Sequence, residues 1–429
     1  MRKLIVSAEA YGFGPAAKLH TLCTELARRG LESHFVGHDV ALAFTAANPS
    51  AFGSIRPVRT MTELAAVPPD GVGAALSVMD PFLVLWASWH GVPCVYVDSL
   101  YWMWQWPPER AAHLRRTAAE LRAGPDVAAA LRRLSAVPMH DSQYIAHSLS
   151  TVSCAQRSPG TDSRASRLAD HGRVTVVDAV VDLSHRSPAD RTSWLATTSG
   201  LLNPLVPLEL ALSWLRSTAR LIEQAARRSE GDEPVLLAGN PEVLDAAADL
   251  ASDRVRLAPL DHTATLRAMN EAMACLTPPG LTTMLESAAY GTPVLLLPEQ
   301  HYGHFRNYQE LSRAGSLDAF PESLVHTRVS RTAESDVIEE TRAIARQLRQ
   351  HEAEHDHVWS RMVSALASGM TAARLDGQRL HAAQEAVILG FAGGYSGTAQ
   401  VADVLEAVLG RGGTPLRPGD VADPLPTRG

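Results

Sequence analysis

The sequence predicts an α/β protein with two successive domains, each a parallel β-sheet covered by helices, that face one another across a central cleft. The first observation is the length, because 429 residues are more than one hydrophobic core usually organises. The second is the composition, since 46% hydrophobic and 20% charged residues are typical of a globular chain. The third is an alternation of short apolar strands with helical segments, which occurs twice along the chain.

The first alternation fills residues 1–185, which we predict to be the N-terminal domain. Its predicted strands are 3–7, 33–36, 73–78, 92–97 and 174–181, and its predicted helices are 15–29, 81–90 and 109–134. The stretch 153–166 is rich in Ser, Gly and Pro and is predicted to be a loop. Residues 182–190, which include Pro188, are the predicted linker.

The second alternation fills residues 190–330, which we predict to be the C-terminal domain. Its predicted strands are 194–198, 234–238, 255–258, 273–277 and 293–297, and its predicted helices are 208–228, 263–270 and 282–290. Residues 331–429 are predicted to be mostly helical, with a flexible tail at 417–429. Two Rossmann-like halves in succession place a ligand in the cleft, outside the carboxyl ends of the strands.

Charge and hydropathy exclude several classes of partner. The net charge of −7 argues against nucleic acid, which requires clustered Lys and Arg. No apolar run approaches the roughly 20 residues that span a bilayer. Glu9 and a glycine loop follow the short apolar N-terminus, which favours a first strand over a signal peptide. We therefore expect a cytoplasmic protein that binds small molecules, with a homodimer left open.

The segment 277–298, TPPGLTTMLESAAYGTPVLLLP, carries the strongest local signal. A strand ends at a Pro-Pro-Gly turn, and the next helix opens with Thr282 and Thr283. The N-terminus of a helix offers unpaired N–H groups and the positive end of the dipole, which suit a diphosphate. Glu286 lies one turn further along, where its carboxylate can accept both hydroxyls of a ribose. A plain strand–helix–strand unit without a ligand explains the segment equally well.

This segment resembles the donor-binding region of the inverting GT-B glycosyltransferases, namely the UDP-glycosyltransferases and the peptidoglycan N-acetylglucosaminyltransferase. Six positions match in identity and spacing: Gly280, Thr283, Glu286, Gly291, Pro293 and Pro298. The resemblance implies a GT-B fold and a UDP-sugar as co-substrate, with no further cofactor. It also implies that Thr282 and Thr283 lie near the diphosphate and that Glu286 binds the ribose.

Two further segments are compared with the same families. Gly200 follows the predicted strand 194–198, where the families place a glycine-containing phosphate loop, although a simple turn is an equal alternative. Where the families often read D-Q-x-x-N, this chain has His304 and Arg306 just before an asparagine. With His301 they predict a cationic cluster beside the donor sugar, which would suit the carboxylate of UDP-glucuronate. An ordinary surface loop is the alternative.

The first glycine loop, with Gly12 and Gly14, lies where the families have an acceptor-side glycine loop. Many family members hold a catalytic His there, and this chain has none. An inverting transfer requires a base that takes the acceptor proton. Glu9 and Asp98 each end a predicted strand and are the candidate bases, Glu9 being favoured. A structural role for Glu9 in capping the helix is an equal alternative.

Three aromatic residues after Asp98, namely Tyr101, Trp102 and Trp104, predict a stacking surface for a planar acceptor. Packing between the domains would explain them equally well. The V-D-S-L strand end followed by W-M-W is similar to the cytosylglucuronate synthases. This resemblance implies transfer of glucuronic acid from UDP to a nitrogen of cytosine, in nucleoside-antibiotic biosynthesis.

Three rival interpretations also have sequence support. Residues 351–355 fit H-E-x-x-H, but the charged context favours a solvated helix over a zinc protease, and we expect no metal in the catalytic site. Gly12, Gly14 and Ala17 fit the G-x-G-x-x-A pattern of NAD-dependent oxidoreductases, although several residues separate the glycines from the strand. The missing histidine would also fit a non-catalytic partner subunit of another transferase.

Overall fold

The computed structural model describes residues 3–168, 173–198, 201, 206–314 and 337–410, and these residues form two separate parallel sheets. The first sheet has the strand order β3-β2-β1-β4-β5-β6-β7. Its strands are β1 (Lys3–Ala8), β2 (Glu32–Gly37), β3 (Ser54–Pro57), β4 (Val72–Val78), β5 (Cys94–Asp98), β6 (Val152–Gln156) and β7 (Val174–Val177).

The second sheet has the strand order β10-β9-β8-β11-β12. Its strands are β8 (Ser193–Thr197), β9 (Val235–Ala238), β10 (Val255–Ala258), β11 (Ala272–Thr277) and β12 (Val294–Leu296). All residues of the central strands β5 and β11 are buried, as expected for parallel strands covered on both faces. The predicted GT-B architecture, two parallel α/β domains that face a cleft, is confirmed.

Helices cover both sheets and join the strands. They are α1 (Phe13–Arg28), α2 (Asp39–Ala47), α3 (Met61–Ala65), α4 (Pro81–His90), α5 (Pro108–Arg122), α6 (Val127–Ser135), α7 (Met139–Leu149), α8 (Thr161–Leu168), α9 (Leu208–Arg228), α10 (Pro241–Asp245), α11 (His262–Glu271), α12 (Leu281–Ala289), α13 (Tyr302–Ala314), α14 (Val337–Glu354), α15 (His357–Ala392) and α16 (Gly397–Gly410). None of the described helices is long and apolar enough to cross a membrane.

The C-terminal helices connect the two domains. Trp359 and Met362 of α15 are buried in the core of the second domain. The helix kinks at Asp376, whose backbone is non-helical (φ −153°, ψ 62°). Helix α16 then packs on α1 and on the first sheet, where Arg29 donates to Asp403 at 2.6 Å and to Glu406 at 3.0 Å. The last described helix therefore packs on the N-terminal domain.

Several predicted elements need correction. The single helix predicted at 109–134 is two helices, α5 and α6, because Gly124 and Pro125 interrupt it. The stretch 153–166, predicted to be a loop, contains most of β6 and of α8. The strand predicted at 174–181 ends at Val177. Gly200 and the tail 417–429 lie outside the described residues.

Candidate active site

A cavity of about 300 Å³ lies between the carboxyl ends of the two sheets. The first domain contributes residues 9–15, which form the β1–α1 loop and the first turn of α1, and the residues that follow β4 and β5. The second domain contributes the N-terminus of α12 and the first turns of α13, and α14 adds Glu340 and Thr341. This is the location that two doubly wound sheets predict for a ligand.

The N-terminus of α12 forms one wall of the cavity. Its N-cap, Gly280, has no side chain, and the first intrahelical bond runs from the Met284 N–H to the Gly280 carbonyl (3.1 Å). The amides of Leu281 and Thr282 therefore have no intrahelical acceptor and can bind an anion. Both threonines line the cavity, as predicted for residues near a diphosphate.

The two glycines of the first loop, Gly12 and Gly14, also line the cavity. Gly14 faces α12 so closely that a methyl group added to it would lie 3.1 Å from Oγ1 of Thr282. The first turn of α1, to which Gly14 belongs, therefore opposes the N-terminus of α12 directly across the cleft.

His304 of α13 is buried, and His301, directly before α13, is partly buried. Their rings lie 3.9 Å apart, and Nδ1 of His304 accepts from the Gln300 N–H at 3.3 Å. Burial lowers the pKa of His301 to about 4 and the pKa of His304 well below its ordinary value. The prediction of a cationic cluster at this position is therefore wrong for both imidazoles.

Arg306, the third member of that predicted cluster, does not line the cavity. Its guanidinium lies 6.0 Å from the ring centre of Trp102 and 3.7 Å from a carboxylate oxygen of Glu310. No Lys or Arg lies among the described residues that line the cavity. In this arrangement Arg306 cannot bind a donor carboxylate in the cavity.

Glu286 is buried on a side of α12 that packs near α1, and it is not among the residues that line the cavity. Lys18 of α1 is buried with it, and Nζ of Lys18 donates to Oε1 of Gln156 at 2.9 Å. Burial raises the pKa of Glu286 and lowers the pKa of Lys18, while the attraction between the two groups opposes both shifts. Ribose binding by Glu286 stays a prediction, and it requires α1 and α12 to separate.

Three carboxylates lie at the carboxyl ends of the adjacent strands β1, β4 and β5, namely Glu9, Asp80 and Asp98. Burial, together with the negative charges of Asp80 and then Asp98, raises the pKa of Glu9 to about 8. Asp80 caps α4 by accepting from the Phe82 N–H at 2.9 Å. Of the three acids, Glu9 lines the cavity. It is therefore the carboxylate that can accept an acceptor's proton near neutral pH.

Asp98, the other predicted base, is fully buried and has three hydrogen-bond donors. They are the Leu100 N–H (2.8 Å), Nε1 of Trp104 (2.9 Å) and Nε2 of His147 (2.9 Å). A base must reach the proton that it removes, and Asp98 does not line the cavity. The geometry corrects its assignment from a base to a residue that positions the Trp104 indole.

The three predicted stacking residues occupy different environments. Tyr101 is buried with its ring 5.2 Å from that of His147. Trp102 packs against Phe391 at 6.5 Å, in a cluster that joins the two domains. Trp104 lines the cavity. The alternative of interdomain packing therefore describes Trp102, and an acceptor in the cavity can contact Trp104 alone of the three.

Sequence reasoning missed several polar residues near the cleft. Lys18 lies inside an amphipathic helix, where nothing local marks it as buried. His147 belongs to α7, which has no strong apolar pattern. The only signal that could have indicated Asp80 is its position directly after β4 and before a proline, which is typical of a helix cap.

The H-E-x-x-H segment has structural contacts of its own. Nδ1 of His351 lies 2.6 Å from Asp356, and Glu352 accepts hydrogen bonds from Ser217 and Arg220. His355 follows the end of α14. Within the described chain, the group of side chains that could hold a metal ion lies elsewhere, at His20, Asp182 and His262.

Comparisons with known proteins give similarity at the level of the fold. No family model and no curated protein matches the chain. Solved structures that are similar include the glycosyltransferase of kitacinnamycin, with a TM-score of 0.49 and 15% identity over 95% of this chain and 98% of that one. The calicheamicin glycosyltransferase CalG4 has a TM-score of 0.47 and 15% identity over 96% and 99%. MurG of Acinetobacter baumannii has a TM-score of 0.43 and 12% identity over 95% and 100%.

Proposed function

We propose that the chain is an inverting glycosyltransferase that transfers a sugar from a UDP-linked donor to a small planar acceptor in the cleft. The observation that supports this most strongly is the opposition of Glu9 to the N-terminus of α12 across one cavity. One wall supplies a proton acceptor, and the other supplies amides for an anion. A displacement at the anomeric carbon requires both groups at once.

The proposed reaction is a single displacement. An acceptor oxygen or nitrogen attacks C1 of the sugar and forms the new bond, while its proton passes to Glu9. The bond from C1 to the UDP oxygen breaks, and UDP leaves with the bonding electron pair. Because no Lys or Arg lines the described cavity, the amides of α12 carry the negative charge of the leaving group. The UDP-sugar is a co-substrate, and the reaction uses no cofactor.

The shape and lining of the cavity support a small planar acceptor. Phe13, Trp104 and Tyr302 contribute aromatic rings to its surface. Aromatic side chains bind flat ligands through offset or edge contacts of their rings. A cavity of about 300 Å³ also limits the acceptor and the donor sugar to small groups.

A narrower version is transfer of glucuronic acid to cytosine. It is favoured by the sequence similarity around Asp98 and Trp104. It is also favoured by the absence of a catalytic histidine, because an acidic N–H can be deprotonated by a weaker base than a sugar hydroxyl requires. The position of Arg306 lends no support to a glucuronate preference. A comparison of UDP-glucuronate with UDP-glucose as donors tests this version separately.

The same missing histidine favours a second candidate function, a non-catalytic subunit of another transferase. A turnover assay of the purified chain distinguishes the two. UDP release is measured with UDP-glucose and UDP-glucuronate, in the presence of cytosine and of phenolic acceptors, and the glycosylated product is detected by mass spectrometry. Product that depends on both substrates supports the enzyme. UDP binding without product from any acceptor supports the subunit.

A further inference from the structure

A second group of polar side chains lies between the domains, outside the cavity. His20 belongs to α1 of the first domain, Asp182 to the segment between the sheets, and His262 is the first residue of α11 in the second domain. All three are more than nine-tenths buried, and one ligand atom from each lies within 4.8 Å of the other two. Three separate parts of the fold therefore bring two imidazoles and a carboxylate together.

One ring nitrogen of each imidazole lacks a hydrogen-bond partner among the described residues. Nδ1 of His20 and Nε2 of His262 are buried and find no partner among the described residues. Their surroundings are aromatic, because the Phe44 ring lies 6.4 Å from His20 and 5.7 Å from His262. Buried polar atoms in folded proteins nearly always have a partner, so two such atoms beside a carboxylate indicate a missing ligand.

We propose that His20, Asp182 and His262 bind a divalent transition-metal ion of the zinc type. Two imidazole nitrogens and one carboxylate oxygen are ligands that zinc accepts, with bonds of about 2.0–2.2 Å and water completing a tetrahedron. Ligand atoms at such distances stand roughly 3.3 Å apart. The observed separations, all within 4.8 Å, need only small side-chain movements to close around an ion.

The neighbourhood fits a structural metal site that fixes the domains together. Asp261 holds the start of α11 by accepting from the Ala264 N–H at 2.7 Å. The backbone N–H of His262 donates to Oδ1 of Asn48 in the first domain at 2.9 Å, so an interdomain hydrogen bond already lies at this point. An ion here would stabilise the closed arrangement of the domains, and it would take no part in sugar transfer.

The test is metal binding by the full chain, independent of any UDP-sugar. The protein is treated with a chelator, dialysed and titrated with Zn²⁺ by calorimetry, and bound metal is counted by mass spectrometry. We expect one equivalent per chain and visible absorption bands when Co²⁺ replaces Zn²⁺. Since outer-shell changes alone weaken metal sites about 10- to 100-fold, His20→Asn and Asp182→Asn should each weaken Zn²⁺ binding by at least about 10-fold.

His351→Asn is the matched control, because His351 belongs to the other histidine-containing segment and is paired with Asp356. This variant should bind Zn²⁺ like the wild type. If His20→Asn does not fold, Asp182→Asn alone tests the proposal. This variant is expected to fold, because its amide oxygen can still accept from the Ser184 N–H. Absence of stoichiometric Zn²⁺ binding, or equal binding by the wild type and Asp182→Asn, would overturn the proposal. A failure of UDP binding would not affect it.

Discussion

The two walls of the cleft differ in charge, although each consists of loops at the carboxyl end of a parallel sheet. One acid, Glu9, lines the wall of the first domain, and Asp80 and Asp98 lie at the ends of the adjacent strands without lining the cavity. The facing wall, formed by α12 and by His301 and His304 at the start of α13, has the amides of a helix N-terminus, hydroxyls and two imidazoles with lowered pKa values. The same type of sheet edge therefore supplies a proton acceptor on one side and anion-binding donors on the other.

This difference has a physical consequence for the ligand. The positive end of the α12 dipole attracts a diphosphate, so the donor is favoured with its diphosphate at this wall. Burial, and then the negative charges of Asp80 and Asp98, raise the pKa of Glu9 and keep it basic enough to take a proton. Each wall can be changed by single substitutions that leave the other wall intact.

The largest expected effect follows from removing the base. Glu9→Gln should lower kcat by about 100-fold or more, the usual contribution of a general base, while the Kd for UDP stays the same. Transfer kinetics and calorimetry measure the two quantities. Glu63→Gln, an exposed change on α3, is the control and should retain full activity. Normal turnover by Glu9→Gln would exclude Glu9 as the base.

The next effect follows from changing the distance between the walls. Gly14→Val puts a Cβ atom 3.1 Å from Oγ1 of Thr282 and adds two methyl groups beyond it, so the first turn of α1 and α12 must move apart. Because displacements of about 1 Å can cost about 100-fold in rate, we expect a loss of that order in kcat/KM. Gly410→Val is the control, since nothing lies within 4 Å of a side chain there. Equal losses in both variants would contradict a specific role for Gly14.

A smaller effect concerns pH. With a pKa of about 8, Glu9 is about one-tenth ionised at pH 7, so kcat should rise about tenfold between pH 7 and pH 9. The same raised pKa means that the folded state binds the proton more tightly than the unfolded state. Stability from this group is present below pH 4.5 and is lost as pH rises through about 8. The Tm of Glu9→Gln should therefore fall less over this range, and a pH profile identical to the wild type would argue against this assignment.

The smallest effect concerns the anion side. Thr282→Val removes one hydroxyl from the cavity wall but keeps the helix amides, so the Kd for UDP should rise by up to about tenfold, the worth of one hydrogen bond. Thr265→Val on α11 is the control, because this exposed hydroxyl bonds only to the Asp261 carbonyl. Titration calorimetry measures both, and a weaker UDP complex only in the control would contradict the donor site.

The fold was predictable where its signals are local. Helix α4 begins at Pro81, as predicted, and helix α9 ends just before Ser229, as predicted. Gly91 adopts the left-handed conformation (φ 66°) that ends α4. The strand β6 was missed because Ser153 and Gln156 resemble a loop by composition, and their burial depends on β5 and β7.

The candidate site was only partly predictable, because side-chain directions depend on distant contacts. The position of Thr282 and Thr283 in the cleft follows from one local motif. The orientation of Trp102 depends on Phe391, which comes from the long C-terminal helix. The environment of Glu286 depends on Lys18, which lies 268 residues away in the sequence. No spacing within one segment could reveal these last two contacts.

The most direct test is calorimetric titration of the purified chain with UDP, UDP-glucose, UDP-glucuronate and NAD. If the wall formed by α12 is a donor site, UDP and at least one UDP-sugar bind with one-to-one stoichiometry, and NAD does not bind. If NAD binds and UDP does not, the glycosyltransferase proposal is contradicted, and Gly12 and Gly14 belong to a dinucleotide site instead.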